Sequence, residues 1–192
     1  MLHEKFKNKN ILLGSQSPRR LELLKGLGLE FSVVKIESDE TYPHDLVREE
    51  ITEHISKNKA EAYINLQPNE VLITADTLVW LDNLVLGKPV DEEDAFQMIQ
   101  RMAGKTHEVF TSVTLKSTEK NITFSETTQV HLDEFTHEEI RYYIQNFKPF
   151  DKAGAYGIQD WLGYAKISNI NGCYYNVMGL PLRKLYRELI EF

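Results

Sequence analysis

Ile11-Leu12-Leu13 runs straight into Gly14-Ser15-Gln16-Ser17-Pro18-Arg19-Arg20 and then into Leu21, Leu23, Leu24 and Leu27, so an apolar strand must turn at once into a helix. Ser17 is a good N-cap, and Pro18 suits the first helical position, where a missing N–H costs nothing and the fixed φ is already helical. Such a helix start presents free N–H groups and the positive end of the helix dipole. A phosphate binds there readily, and two guanidiniums can grip it in bidentate fashion. The same residues also suit an ordinary capped helix with two solvated arginines. Taken alone, the stretch leaves both readings open.

The rest of the chain alternates in the same way, which predicts an α/β fold. Residues 31–36 and 71–80 read as strands, and residues 45–66 as a long helix. On that helix Val47, Ile51 and Ile55 recur at four-residue steps, and the next step is Lys59. Its ammonium either snorkels past the edge of the core or points into a cleft. Asp91 caps a helix with Ala95, Met98, Ile99 and Met102 on its apolar face, closed by Gly104. Thr136 and Glu139 form a capping box for another. Residues 106–115 and 122–132 flank a polar turn and read as a β-hairpin.

With 192 residues, 42% hydrophobic and 27% charged, the chain can build one sizeable core, as one domain over 1–192 with one or two lobes. A net charge of −7 argues against general nucleic-acid binding, which needs a broad basic face. No apolar run approaches a bilayer span, Met1–Asn10 is too polar for a signal peptide, and the lone Cys173 suits a reducing compartment. A cytoplasmic location without membrane contact is the expectation.

Residues 71–80 form a nearly continuous apolar run with Asp76 in its middle. An unpaired buried carboxylate is costly, so Asp76 must be neutralised, hydrogen-bonded, bound to a metal, or placed at a bend facing a cleft. Asp82-Asn83 is a two-residue turn that would set Thr77 opposite Lys88. Strict alternation places Asp76 and Thr77 on opposite faces, so a shared site requires the strand to bend or end there. Glu37, Asp39 and Glu40 could offer oxygen ligands to a hard cation such as magnesium, although acidic loops are commonplace. Separated carboxylates, helix-start arginines and two lysines together are what a polyphosphate and its metal require. Neither a P-loop nor a dinucleotide glycine motif is present, and His107 and His131 lack metal-ligand spacing and read as core or edge histidines. Glycine-bearing turns at 153–159, 171–172 and 178–181 permit close backbone approach to a ligand.

In order along the chain, Ser15-Gln16-Ser17-Pro18-Arg19-Arg20, Ala75-Asp76-Thr77, Gly87-Lys88-Pro89, Gly104-Lys105-Thr106-His107, residues 151–159 and Val177-Met178-Gly179-Leu180-Pro181 resemble the Maf-like nucleoside triphosphate pyrophosphatases. The resemblance implies an elongated mixed sheet flanked by helices, two lobes around a deep cleft, and a homodimer. It also implies a hydrolase that uses a divalent metal, magnesium or manganese, to cleave a nucleoside triphosphate between its α and β phosphates. Carried onto these residues, it makes Asp76 the acceptor of the water proton, with Glu40 and Asp76 as metal ligands. Arg19, Arg20, Lys59 and Lys88 become triphosphate ligands, Ser15 and Ser17 join the binding turn, and Lys88 also stabilises the leaving group. Arg19, Thr77 and Gln159 together resemble the group acting on dTTP and UTP, whose members differ from a 7-methyl-GTP group bearing tryptophan at the position of Arg19. Two departures stand out: Gly14 where alanine is usual, and Asp160 where glycine follows the glutamine. Modified pyrimidine nucleotides as substrates, a nucleotide-binding division regulator with little turnover, and a 7-methyl-GTP-type pyrophosphatase are the alternatives.

Overall fold

A computed structural model describes residues 1–192. In chain order the elements are α1 (Leu2–Lys5), β1 (Asn10–Leu13), α2 (Pro18–Gly26), β2 (Phe31–Val33), α3 (Glu49–Ala62), β3 (Glu70–Leu81), β4 (Leu84–Leu86), α4 (Glu92–Met102), β5 (Thr106–Lys116), β6 (Asn121–Leu132), α5 (His137–Phe147), α6 (Trp161–Lys166), β7 (Ile167–Asn171), α7 (Tyr174–Val177) and α8 (Leu182–Glu191). The strands form a mixed sheet in the order β2-β1-β3-β5-β6-β7, with β4 paired to β3. β1 runs parallel to both β2 and β3, while β4 and β7 pair antiparallel with β3 and β6. No helix is long and apolar enough to cross a membrane.

Two compact units share the chain. One comprises Met1–Asp76, Thr111–Glu126 and Gly179–Phe192, and the other Thr77–Phe110 and Thr127–Met178. In the first, Leu12, Ala60 and Leu72 are buried, with Val34, Ile36, Tyr63 and Leu66 packed against them. A seam of hydroxyls complements this apolar cluster. Thr52 and Ser112 lie 2.6 Å apart and Ser112 and Ser125 2.8 Å apart, while Ser56 and Thr114 are separated by 3.1 Å and Thr114 and Thr123 by 2.8 Å. Thr74 donates to the Ser56 carbonyl at 2.7 Å, tying β3 to α3 one turn before Lys59. Each bond between two buried hydroxyls satisfies groups that would otherwise be desolvated without a partner.

α3 is shorter than its periodicity predicts. Arg48 adopts φ 58°, Tyr63 is extended, and Val47 lies exposed outside the helix, so the buried stripe is Ile51, Thr52, Ile55, Ser56 and Ala60. The strand expected over 31–36 likewise ends at Val33. Two of the capping expectations hold: the Asp91 side chain accepts from the Asp94 N–H at 2.8 Å, and Thr136 and Glu139 form a reciprocal box. Gly14 is explained by crowding, because a Cβ there would lie 2.5 Å from Ile36 Cδ1 and 2.9 Å from Thr74 Cγ2.

The second unit has an apolar core of its own, built from Val79, Leu81, Ile99, Met102, Val130, Leu132, Ile140, Tyr143 and Leu162 among others. Asp82 and Asn83, with φ 52° and 63°, make the tight turn between β3 and β4, where Leu81 faces Leu84 and Val79 faces Leu86. That register is the one that would continue to Thr77 and Lys88. The ladder stops at Leu86, and the Gly87 carbonyl instead accepts from Gly154 N–H at 2.9 Å.

His107 is a core histidine, 1% exposed, with Nε2 2.7 Å from the Tyr156 hydroxyl and Nδ1 without a partner. Burial, and secondarily His131, pushes its pKa down from 6.5 to about 4. Between those two values the unfolded chain binds a proton that the folded chain refuses, so stability is complete above 6.5 and falls as the pH drops toward 4. The loss attributable to this group is about 3 kcal/mol. Urea unfolding of His107→Gln across pH 7 to 4 should show a correspondingly flatter loss than the parent protein, and parallel curves would remove His107 as its origin.

Candidate active site

α3 and β3 carry the central charged group of the first unit. Lys59 Nζ lies 2.9 Å from Asp76 Oδ1 and 2.8 Å from Glu40 Oε1. The Lys59 and Asp76 side chains are only 13% and 15% exposed, whereas Glu40 is largely in solvent. Asp76 is therefore neutralised by an ion pair, and β3 neither ends nor breaks at this residue. The ammonium does not snorkel to solvent: it stands between two carboxylates.

Ser17 is extended at the N-cap of α2 and Pro18 is at N1, but the Ser17 hydroxyl makes no capping bond. The Ser15 hydroxyl instead accepts the Ser17 N–H at 3.3 Å. Arg20 turns inward, donating from Nε to the Gly179 carbonyl at 2.9 Å and from Nη1 to the Ala75 carbonyl at the same distance; Ser15 Oγ lies 3.5 Å from Nη1. Burial lowers the pKa of this guanidinium, Asp76 opposes that shift, Arg19 adds to it, and Glu40 opposes it again. Arg20 thus links the backbone beside Asp76 to the Gly179 turn, a structural task that neither sequence expectation, phosphate ligand or solvated arginine, included.

The acidic trio does not converge. Glu37 pairs with Lys35 at 2.7 Å, and Asp39 accepts from the Thr41 N–H at 2.9 Å and from its hydroxyl at 2.7 Å, which lowers the Asp39 pKa. Only Glu40 is directed to Lys59. No group of three or more His, Cys, Asp or Glu side chains is placed to hold a metal. Glu40 and Asp76 nevertheless offer two carboxylate oxygens around one cation, a donor set that fits magnesium when substrate phosphates and water complete its shell.

In the second unit Thr77 is half-buried on β3, and Lys88 is exposed beyond β4. Gln159 is half-buried in the turn before α6, and its Oε1 is buried with no hydrogen-bond partner. Beside it Asp160 Oδ2 accepts from the Tyr143 hydroxyl at 3.0 Å and lies 3.8 Å from Lys152 Nζ, while the Tyr143 oxygen accepts the Gly157 N–H at 3.0 Å. Tyr143 had only the sequence signature of a core aromatic on an amphipathic helix. Lys152 lay within a quoted motif without an assigned part.

A family described as Maf-like protein matches residues 10–192. Among curated relatives, a dTTP/UTP pyrophosphatase of Bacteroides thetaiotaomicron is 51% identical over 181 residues, covering 93% of this chain and 94% of its own. One from Flavobacterium psychrophilum is 49% identical over 192 residues, covering 100% and 98%. A solved HAM1 protein from Coxiella burnetii shares the fold, with a TM-score of 0.54 and 13% identity over 96% of this chain and 100% of its own.

Breaking the central pair should be costly, because removing one partner leaves a charge buried without compensation. Lys59→Met is expected to lower stability in urea by about 2 kcal/mol at neutral pH, and Lys59→Met combined with Asp76→Asn to recover part of that loss. Strict additivity of the two substitutions would mean that the pair contributes no coupling.

Proposed function

The chain belongs to the Maf-like family, and from that premise we propose that it is a nucleoside triphosphate pyrophosphatase acting on dTTP and UTP. The observation that carries the substrate assignment is the likeness, at 51% and 49% identity, to relatives named dTTP/UTP pyrophosphatase, and Gln159 is the residue that would read the base. A glutamine amide both accepts and donates, so it can take the N3–H of uracil or thymine and donate to a neighbouring ring carbonyl. Cytosine presents an acceptor at N3 and would leave that oxygen desolvated and unpaired, which is how a polar pocket rejects a near-isostere.

In the hydrolytic step a water attacks at the α–β anhydride, its proton passes to the Asp76 carboxylate, and the bridging oxygen departs with pyrophosphate, leaving the nucleoside monophosphate. Lys59 holds Asp76 Oδ1 and thereby orients the carboxylate, leaving Oδ2 as the accepting oxygen. Glu40 and Asp76 are the residues that would hold a divalent cation, magnesium or manganese, whose charge offsets that of the phosphates and eases departure of the leaving group. Arg19, Lys88 and the N-terminal turn of α2, with Ser15 and Ser17, bind the triphosphate oxygens. Arg20 acts through the Ala75 carbonyl, fixing the backbone that carries Asp76. Thr77 contributes a hydroxyl to substrate binding.

Incubation with magnesium or manganese and dTTP, UTP, CTP, GTP, 7-methyl-GTP or a modified pyrimidine triphosphate tests the assignment. Pyrophosphate with dTMP or UMP is the expected result. Preference for 7-methyl-GTP would overturn the part given to Gln159, and binding without turnover would make the protein a nucleotide-binding regulator. Asp76→Asn should retain nucleotide binding by calorimetry while turnover falls roughly 10²- to 10⁴-fold. Full activity in that variant would remove Asp76 from the chemistry.

A further inference from the structure

The turn bearing Gln159 is gripped from beneath by side chains with no part in the hydrolysis described above. Tyr143 is wholly buried on α5, and its hydroxyl serves two partners at once. It donates to Asp160 Oδ2 at 3.0 Å and accepts the Gly157 N–H at 3.0 Å. One hydroxyl thus joins the residue two before Gln159 to the residue immediately after it. Lys152, 13% exposed, pairs with Asp151 at 2.8 Å and stands 3.8 Å from the same Asp160 oxygen. Glycine at 157 permits this close approach, since a Cβ there would meet Asp160 Oδ2 at 2.5 Å and Lys152 Cε at 3.1 Å.

We propose that Tyr143 and Asp160 form a positioning clamp that fixes the Gln159 amide and thereby sets discrimination between uracil or thymine and cytosine. The proposal rests on the base-reading part given to Gln159. An amide discriminates only while its direction is fixed, because a mobile amide can rotate and offer its NH₂ to the cytosine N3 instead. The clamp restricts that freedom by holding the backbone on both flanks of the residue, which fixes the point and direction from which the Gln159 side chain leaves the turn. Asp160 therefore has a defined task at the position where the family pattern has glycine. It supplies the carboxylate that orients the Tyr143 hydroxyl toward the turn.

Tyr143→Phe removes the bridging oxygen with little change in shape, Asp160→Asn keeps an acceptor for it, and Asp160→Ala does not. Hydrogen exchange at the Gly157 amide should accelerate at least tenfold in Tyr143→Phe and Asp160→Ala, and much less in Asp160→Asn. In the first two, the ratio of kcat/KM for UTP over CTP should fall about tenfold, chiefly through KM for UTP. Competitive inhibition by inorganic tripolyphosphate, which carries no base, should be unchanged. Unaltered Gly157 exchange in Tyr143→Phe would overturn the clamp whatever the kinetics. Accelerated exchange with an intact UTP-to-CTP ratio, or a lower Tm that affects all substrates equally, would reduce the pair to a structural role. If Gln159→Ala also leaves that ratio intact, the base-reading assignment fails and the clamp's part in specificity falls with it, although pyrophosphate release still stands.

Discussion

A single ammonium reconciles the first unit with the carboxylate that its central strand carries. β3 is apolar on both sides of Asp76, and no fold could bury that charge alone without a cost of several kcal/mol. Lys59 offsets it from 2.9 Å away, and Glu40 closes the pair from the solvent side at 2.8 Å. For the lysine to arrive there, α3 must lie on the sheet at a fixed height and rotation. The hydroxyl seam supplies this constraint, because hydroxyl pairs and the Thr74 bond to the Ser56 carbonyl accept one register where aliphatic contacts would tolerate several. Arg20 repeats the device on the backbone, tying Ala75 to Gly179.

The sequence made some of this legible for definite reasons. Caps declare themselves because their chemistry is local, and Asp91 and Thr136 with Glu139 are found as expected. The Asp82-Asn83 turn was legible from its length, although it has no glycine and both residues take positive φ. The excess length given to α3 has an equally local cause: Val47 fits the four-residue spacing by coincidence, Arg48 at φ 58° lets the helix begin only at Glu49, and extended Tyr63 ends it at Ala62.

Contacts between distant segments are where pattern reading stops. Asp76 was marked as a carboxylate in need of a partner, and Lys59 as a cation in need of a place, but nothing local joined them across 17 positions. Glu37, Asp39 and Glu40 looked equivalent in the sequence, and only their partners separate an exposed pair, a turn-closing side chain and a residue of the charged centre. Arg20 read as a phosphate ligand because its carbonyl partners lie 55 and 159 positions away. Tyr143 drew no expectation at all, since an aromatic ring on an apolar helix face gives no sign of where its hydroxyl points.

The two units also differ in when their segments become available. Unit 1 begins the chain, yet it includes Thr111–Glu126 and Gly179–Phe192, and within it α1 and α8 touch. Every segment of the second unit lies between Thr77 and Met178. During synthesis from the N-terminus, the unit that starts later therefore has all its parts first, and the unit holding Asp76 waits for the helix that follows the Gly179 turn. Until then Asp76 and Lys59 are present in the emerging polypeptide, while the Gly179 carbonyl to which Arg20 ties the backbone beside Asp76 has not yet been made.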